Sequence, residues 1–152
     1  MNRIRIAYPN ENVAVIVRLL TDEAPGTCAA ILKELPVTGE ACHGIYSGPE
    51  IFFILPHVTE IEMENATSAL LPGELAFLTI PGGRYHKFPN DLSEIIWFYG
   101  RGACPSMADG PCRVNLFGIM EKQGQEAFFE VCARQQREGI KLVSITLEDN
   151  RV

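Results

Sequence analysis

The chain has 152 residues, 47% of them apolar and 21% charged, a mix that supports one self-folding core and excludes a disordered chain. Nineteen acidic against thirteen basic side chains leave a formal net charge of -6, which excludes the basic surface that non-specific nucleic-acid binding needs. No apolar run approaches the roughly 18 residues of a membrane span, and Met1–Ile6 alternates instead of forming a signal-peptide core, so a cytoplasmic protein without nucleic-acid or membrane partners is expected.

In chain order, Arg3–Ala7 alternates at period two, Pro9-Asn10-Glu11-Asn12 is a turn cluster, and Val13–Val17 is a β-branched run. Together they predict an opening hairpin whose second strand is buried on both faces. Thr21 or Asp22 can cap the helix that follows, Glu23 suits its positive end and Pro25 its first turn. Cys28, Ile31, Leu32 and Leu35 form one apolar stripe, so a helix over 24–35 is predicted, stopped by Pro36.

The segment Cys42–Phe53 gathers His43, Tyr46, Ser47 and Glu50 around a Gly48-Pro49 turn, with apolar β-formers directly behind. This reads as strand, turn and strand with polar groups at the join, either a ligand pocket on an apolar wall or a plain hairpin with a wet face. Glu60–Thr67 alternates acid and apolar residues and predicts a solvated edge, with Asn65 either closing a turn or meeting a ligand. Glu74–Ile80 is a strand, and Pro81–Asp91 is a polar loop carrying Arg84, whose paired glycines lack the lysine and helix start of a phosphate loop.

Glu94–Tyr99 is the strongest strand in the chain, and a long loop leads from it through Cys104 to Cys112. Asn115 sits badly in the next strand, 113–120, a mismatch expected more often at functional or strained positions. A second helix is predicted over 125–137, with Phe128, Val131, Cys132 and Gln135 inward, and Ile140–Leu147 closes the chain as a strand. Five cysteines without a C-x-x-C pair predict no disulfide; Cys28 and Cys132 read as core, while Cys42, Cys104 and Cys112 lie near loops. His43, His57 and His86 form no ligand-spaced pair, so neither a metal nor another cofactor is expected.

About eight short strands and two helices predict a mainly β, closed barrel with the helices flanking it, in one domain over 1–152; the connections are too short for a doubly wound parallel sheet. The order of elements resembles an uncharacterised bacterial family with a cyclophilin-like barrel. The residues that carry the resemblance include Asp22-Glu23-Ala24-Pro25, Leu35-Pro36, His43 and Tyr46-Ser47-Gly48. They continue with Glu64-Asn65-Ala66-Thr67, Pro72-Gly73-Glu74, Phe98-Tyr99-Gly100 and Asn115-Leu116-Phe117. Tyr46 stands where that family usually has tryptophan. The resemblance implies a fold and not an activity, and the Phe-His-Arg stretch of the true prolyl isomerases is missing, since Arg84 is followed by Tyr85-His86.

The expected function is therefore binding of a small anionic or amide-containing metabolite, as an enzyme or an accessory subunit. The alternatives are a non-catalytic ligand-binding module and, third, a prolyl isomerase. The expected catalytic residues are His43 as acid or base and Glu50 orienting it, with Tyr46, Ser47, Arg84, Tyr99 and Asn115 binding the ligand. The edges of a partly closed barrel are compatible with a homodimer.

Overall fold

The computed structural model describes residues 2–85 and 88–148; His86, one of the three histidines weighed as a metal ligand, lies outside them. The strands are β1 (Arg3–Tyr8), β2 (Val13–Leu19), β3 (Val37–His43), β4 (Glu50–Ile54), β5 (Ala66–Thr67), β6 (Glu74–Ile80), β7 (Leu92–Phe98), β8 (Ser106–Met107), β9 (Gly110–Pro111), β10 (Val114–Met120) and β11 (Lys141–Leu147). Helix α1 spans Pro25–Glu34 and α2 spans Gln125–Glu138. The antiparallel order β2-β1-β11-β3-β4-β7-β6-β10 returns to its start because β10 also pairs with β2, through Gly118↔Leu19 and Met120↔Val17. The result is a closed barrel of eight antiparallel strands with two helices. Closure needs a close approach at Gly118, where a Cβ would lie 2.7 Å from Val17 Cγ1.

Alternation along each strand decides what fills the barrel. Ile4, Ile6, Val15, Val17, Ile95, Trp97, Val143 and Ile145 point inward and are fully buried. Helix α2 lays Phe128, Val131 and Cys132 on this cluster, and the Phe128 ring stands 5.1 Å from Tyr8 and 6.2 Å from Trp97. Gln135 extends the same stripe: its Oε1 accepts the Tyr8 hydroxyl at 2.7 Å and its Nε2 donates to Ala41 O at 2.9 Å. A buried amide on an apolar stripe is thus fully paired, as burial demands.

Three expectations change. Strand β2 alternates between buried and half-buried residues, so it is covered on one face only; β7 is the strand covered on both, six of its seven residues being buried. Helix α1 is not capped by Thr21 or Asp22. It starts at Pro25 with Ala24 at the cap position, and its free Thr27 N–H donates instead to Glu64 Oε1 at 2.5 Å, a cap brought in from another segment. The acidic run is irregular up to β5, not an edge strand. Asn65 does turn duty there, with φ +47° and its Nδ2 donating to Leu116 O at 2.9 Å.

Asn115 is buried and pins this segment to the barrel. Its Oδ1 accepts Glu64 N–H at 3.2 Å, while its Nδ2 donates to Glu62 O at 3.0 Å and to Thr27 Oγ1 at 3.2 Å. Asn115→Leu strands three polar groups at once and is expected to cost on the order of 3 kcal/mol, read as a lower urea midpoint at an unchanged slope. Cys28 and Cys132 are 1% and 0% exposed, and burial pushes both thiols up to about 11. Under native conditions a thiol reagent is expected to spare these two until the protein unfolds while modifying the more exposed Cys104, which mass mapping of the labelled peptides would read.

Candidate functional site

The outward faces of β4 and β7 are where the strand chemistry departs from a plain barrel. Because Ile51 and Phe53 point inward, Glu50 and Phe52 point out; because Ile95 and Trp97 point inward, Glu94, Ile96 and Phe98 point out. This outer face is not left to water. Leu70, Ala76, Ile96, Phe98, Ala103 and Val114 form a second apolar cluster, to which the long connection after β7 contributes Ala103 and Cys112.

Between this face and the loops lies a cavity of about 260 Å³. Its walls are Gly44–Ser47 from the β3–β4 turn, Phe52 and Glu50 from β4, and Glu94 from β7. Ile80, Tyr85 and Phe88 come from the end of β6 and the loop beyond it, and Ser106–Ala108 from the β8–β9 hairpin. Ser47 fastens that hairpin: its Oγ accepts Ser106 N–H at 2.9 Å and donates to Ser106 O at 3.2 Å. On the other side Asp109 accepts the Tyr85 hydroxyl at 2.8 Å and the Arg84 guanidinium at 3.3 Å, so the two loops meet over the cavity.

Two carboxyls face this apolar space. Glu50 is 6% exposed and Glu94 8%, and among the described residues neither has a cation as partner. Burial pushes Glu50 up to about 7, with Ser47 pulling weakly the other way. Burial, and then the Glu50 charge, pushes Glu94 up to about 8. In the β4–β7 register Glu50 pairs with Phe98 and Glu94 with Ile54. Their backbones are therefore offset by four residues, about 13 Å along the strands, and the side chains enter the cavity from different ends. Gly44 makes room for one of them: a Cβ there would lie 2.6 Å from Glu50 Oε1.

Of the residues named from the sequence, the fold brings Tyr46, Ser47 and Glu50 to this cavity. His43 and Tyr99 each stand two residues beyond an inward residue, Ala41 and Trp97, so they share its face and meet each other on the barrel side. The His43 Nδ1–H donates to Gly44 O at 2.7 Å, so its Nε2 accepts the Tyr99 hydroxyl at 2.6 Å. Both ring nitrogens are occupied, and the Glu50 carboxyl is not what orients the imidazole. Arg84 lies outside on the rim, 57% exposed and paired with Asp109, and Lys87, its lysine counterpart in the same loop, lies outside the described residues. Asn115 belongs to the α1 lock described above. The seven side chains do not converge: only three of them line the cavity.

Glu94 and Tyr85 complete the cavity and were not singled out from the sequence. The signal for Glu94 was its parity: it is the one charged residue on the face of Glu94–Phe98 that also carries Ile96 and Phe98. It was legible only to a reader who knew that this face is covered too.

A closed antiparallel barrel with a lateral, acid-bearing cavity is the class of protein that this fold and site define. The chain belongs to the family described as "Protein of unknown function (DUF3830)", whose model matches residues 6–147. No curated protein matches it. Among solved structures it is similar to that of McbB in complex with tryptophan, at a TM-score of 0.67 and 16% identity, over 98% of this chain and 46% of McbB. The chain thus spans about half the length of that protein. It is also similar to the hypothetical protein AF2241 from Archaeoglobus fulgidus, at a TM-score of 0.60 and 22% identity, over 97% of this chain and 95% of the other. At these identities the likeness carries the fold alone.

The two carboxyls set the sign of a pH effect on stability. A carboxyl whose folded value lies above its unfolded one binds its proton more tightly when folded, so stability falls as pH rises from the unfolded value of 4.5 through about 7 and about 8. Glu50 alone is expected to remove on the order of 3 kcal/mol across that window. Thermal melts of the wild type should therefore fall between pH 5 and pH 8.5 (roughly the span of the two titrations), and those of Glu50→Gln and Glu94→Gln should fall less.

Proposed function

We propose that this protein binds a small metabolite with an apolar, planar body and an amine or amide head in the cavity on the outer face of β4 and β7. The observation that carries the reading is the pair Glu50 and Glu94, buried in an apolar wall without a cationic partner among the described residues. Buried charges are ordinarily paired or neutralised, and a ligand amine, or an amide N–H, supplies what the protein leaves out. Tyr46, Phe52, Tyr85 and Phe88 give such a ligand aromatic surfaces to lie against. The solved neighbour that holds tryptophan supports the same ligand shape.

This reading keeps the amide-bearing half of the sequence expectation and drops the anionic half. Arg84, the residue expected to hold an anion, is engaged by Asp109 on the rim, and an anion in the cavity would face two carboxyls. In this reading Tyr46 is part of the cavity wall, while Ser47, expected to bind the ligand, instead anchors the β8–β9 hairpin through Ser106. The cavity takes no position on prolyl isomerisation.

The test is calorimetric titration with tryptamine, tryptophan amide and indole-3-acetate, three ligands with one ring system and different heads. The amine and the amide are expected to bind and the acetate not. Glu50→Gln should weaken tryptamine on the order of tenfold or more, the value of a charged hydrogen bond, while Arg84→Ala changes little. Equal affinity of all three ligands, or of wild type and Glu50→Gln, would remove the carboxyls from recognition.

A further inference from the structure

Resting on that binding reading, we propose that the same cavity carries out acid–base chemistry on a neutral ligand: Glu50 takes a proton from one of its atoms while Glu94 gives a proton to another. The geometry is the warrant. Both side chains are more than nine-tenths buried, and Glu94 has no hydrogen-bond partner among the described residues although it faces open cavity. A carboxyl kept for structure is hydrogen-bonded when buried; one left unpaired against an apolar wall is free to exchange a proton with whatever occupies the space. The four-residue offset in the β4–β7 register brings the two groups in from different ends, which suits removal at one atom and delivery at another. Gly44 holds open the position of Glu50 Oε1.

The two environments also divide the roles. Burial raises both carboxyls, the Glu50 charge raises Glu94 further, and the Ser47 hydroxyl favours ionised Glu50 while no donor does so for Glu94 among the described residues. Near neutral pH Glu50 is therefore the one of the pair that supplies carboxylate and Glu94 the one that keeps its proton. The other groups near the pair hold one state through this window. Cys42 on β3 is raised by burial and Cys112 after β9 is pushed to about 11, so both remain thiols. Tyr85 is raised and remains a phenol, while its hydrogen bond, and then Arg84, hold Asp109 low and ionised. After one turnover the proton sits on Glu50 and is missing from Glu94, and exchange with solvent restores the pair.

A neutral planar probe for this chemistry is 1,2-benzisoxazole. Glu50 takes the proton at C3, the C–H electron pair becomes the third C–N bond, and the N–O bond breaks. The released pair stays on the phenol oxygen, which Glu94 protonates to give 2-cyanophenol. Wild type is expected to show saturable turnover with a bell-shaped pH profile. Glu50→Gln should lower kcat on the order of a hundredfold or more; Glu94→Gln should lower it about tenfold or more and remove the alkaline limb. Gly44→Ala, which displaces Glu50 without deleting it, should lower kcat as well and keeps the test open if a glutamine variant fails to fold by circular dichroism. Turnover equal in wild type and the folded variants, or no saturable turnover at all, overturns the proposal. If tryptamine and tryptophan amide still bind in that case, the binding reading stands and only the acid–base step falls; if they do not bind either, both fall.

Discussion

Everything about the candidate site follows from one constraint, the burial of β7 on both faces. A closed barrel uses one face of every strand for its interior. On β7 the other face is also withdrawn from water, under the connection that supplies Ala103, the β8–β9 hairpin and Cys112. A strand in that position favours apolar residues throughout, and Ile95, Ile96, Trp97 and Phe98 comply. Ser93 is polar but its hydroxyl is paired with Thr59 and Thr79; Glu94 has no such partner among the described residues. Its carboxyl has to be tolerated by a wall built for side chains without charge, and the cavity is the space that this misfit leaves.

The same residue type behaves in opposite ways elsewhere on the chain. Glu11 sits between Arg134 and Lys141, each at 2.7 Å, and these hydrogen bonds hold its carboxyl down at about 2. Glu64 is held low by the N–H groups at the start of α1 and serves as the cap that Thr21 and Asp22 do not supply. In both cases the protein provides donors to the ionised form. Around Glu50 and Glu94 burial outweighs the one donor present, the Ser47 hydroxyl beside Glu50, and burial favours the protonated form. The contrast separates acids that hold the fold together from acids that the fold merely accommodates.

Much of the architecture was legible because it rests on local pattern. Period-two alternation and the stripes Cys28-Ile31 and Phe128-Val131-Cys132 located most of the long strands and both helices to within a residue or two, while the two-residue strands β5, β8 and β9 fall in segments that read as turn and loop; the resemblance to a barrel family agreed with the long elements. The site was less legible because it depends on which face of a strand is covered, and no single strand encodes that. His43, Tyr46 and Glu50 lie within eight residues and read as one cluster. Alternation sends His43 into the barrel mouth with Tyr99 and Glu50 to the outside. Asn115 was correctly suspect as a strand residue, but its three hydrogen bonds go to the chain itself. Arg84 looked like an anion clamp only as long as Asp109, twenty-five residues away, was not known to be its neighbour.

The interior of a small barrel is filled by its own side chains, and here Tyr8, Trp97, Phe117 and Phe128 are all fully buried in it. A ligand cannot enter that space without unmaking the core. The binding proposed above is accordingly lateral, on the outside of the sheet, and an outer sheet face has no concavity of its own. Concavity must come from loops, and the connections on either side of β7, the loop after β6 and the segment with the β8–β9 hairpin, both contribute residues to one patch of the barrel. Those connections are joined to each other through Asp109 and to the β3–β4 turn through Ser47. The rigid barrel thus fixes Glu50 and Glu94 from below while the loops determine what fits above them. That division fixes the carboxyl pair on the strands with Phe52 and Ile80 and leaves the rest of the cavity's outline to loop residues.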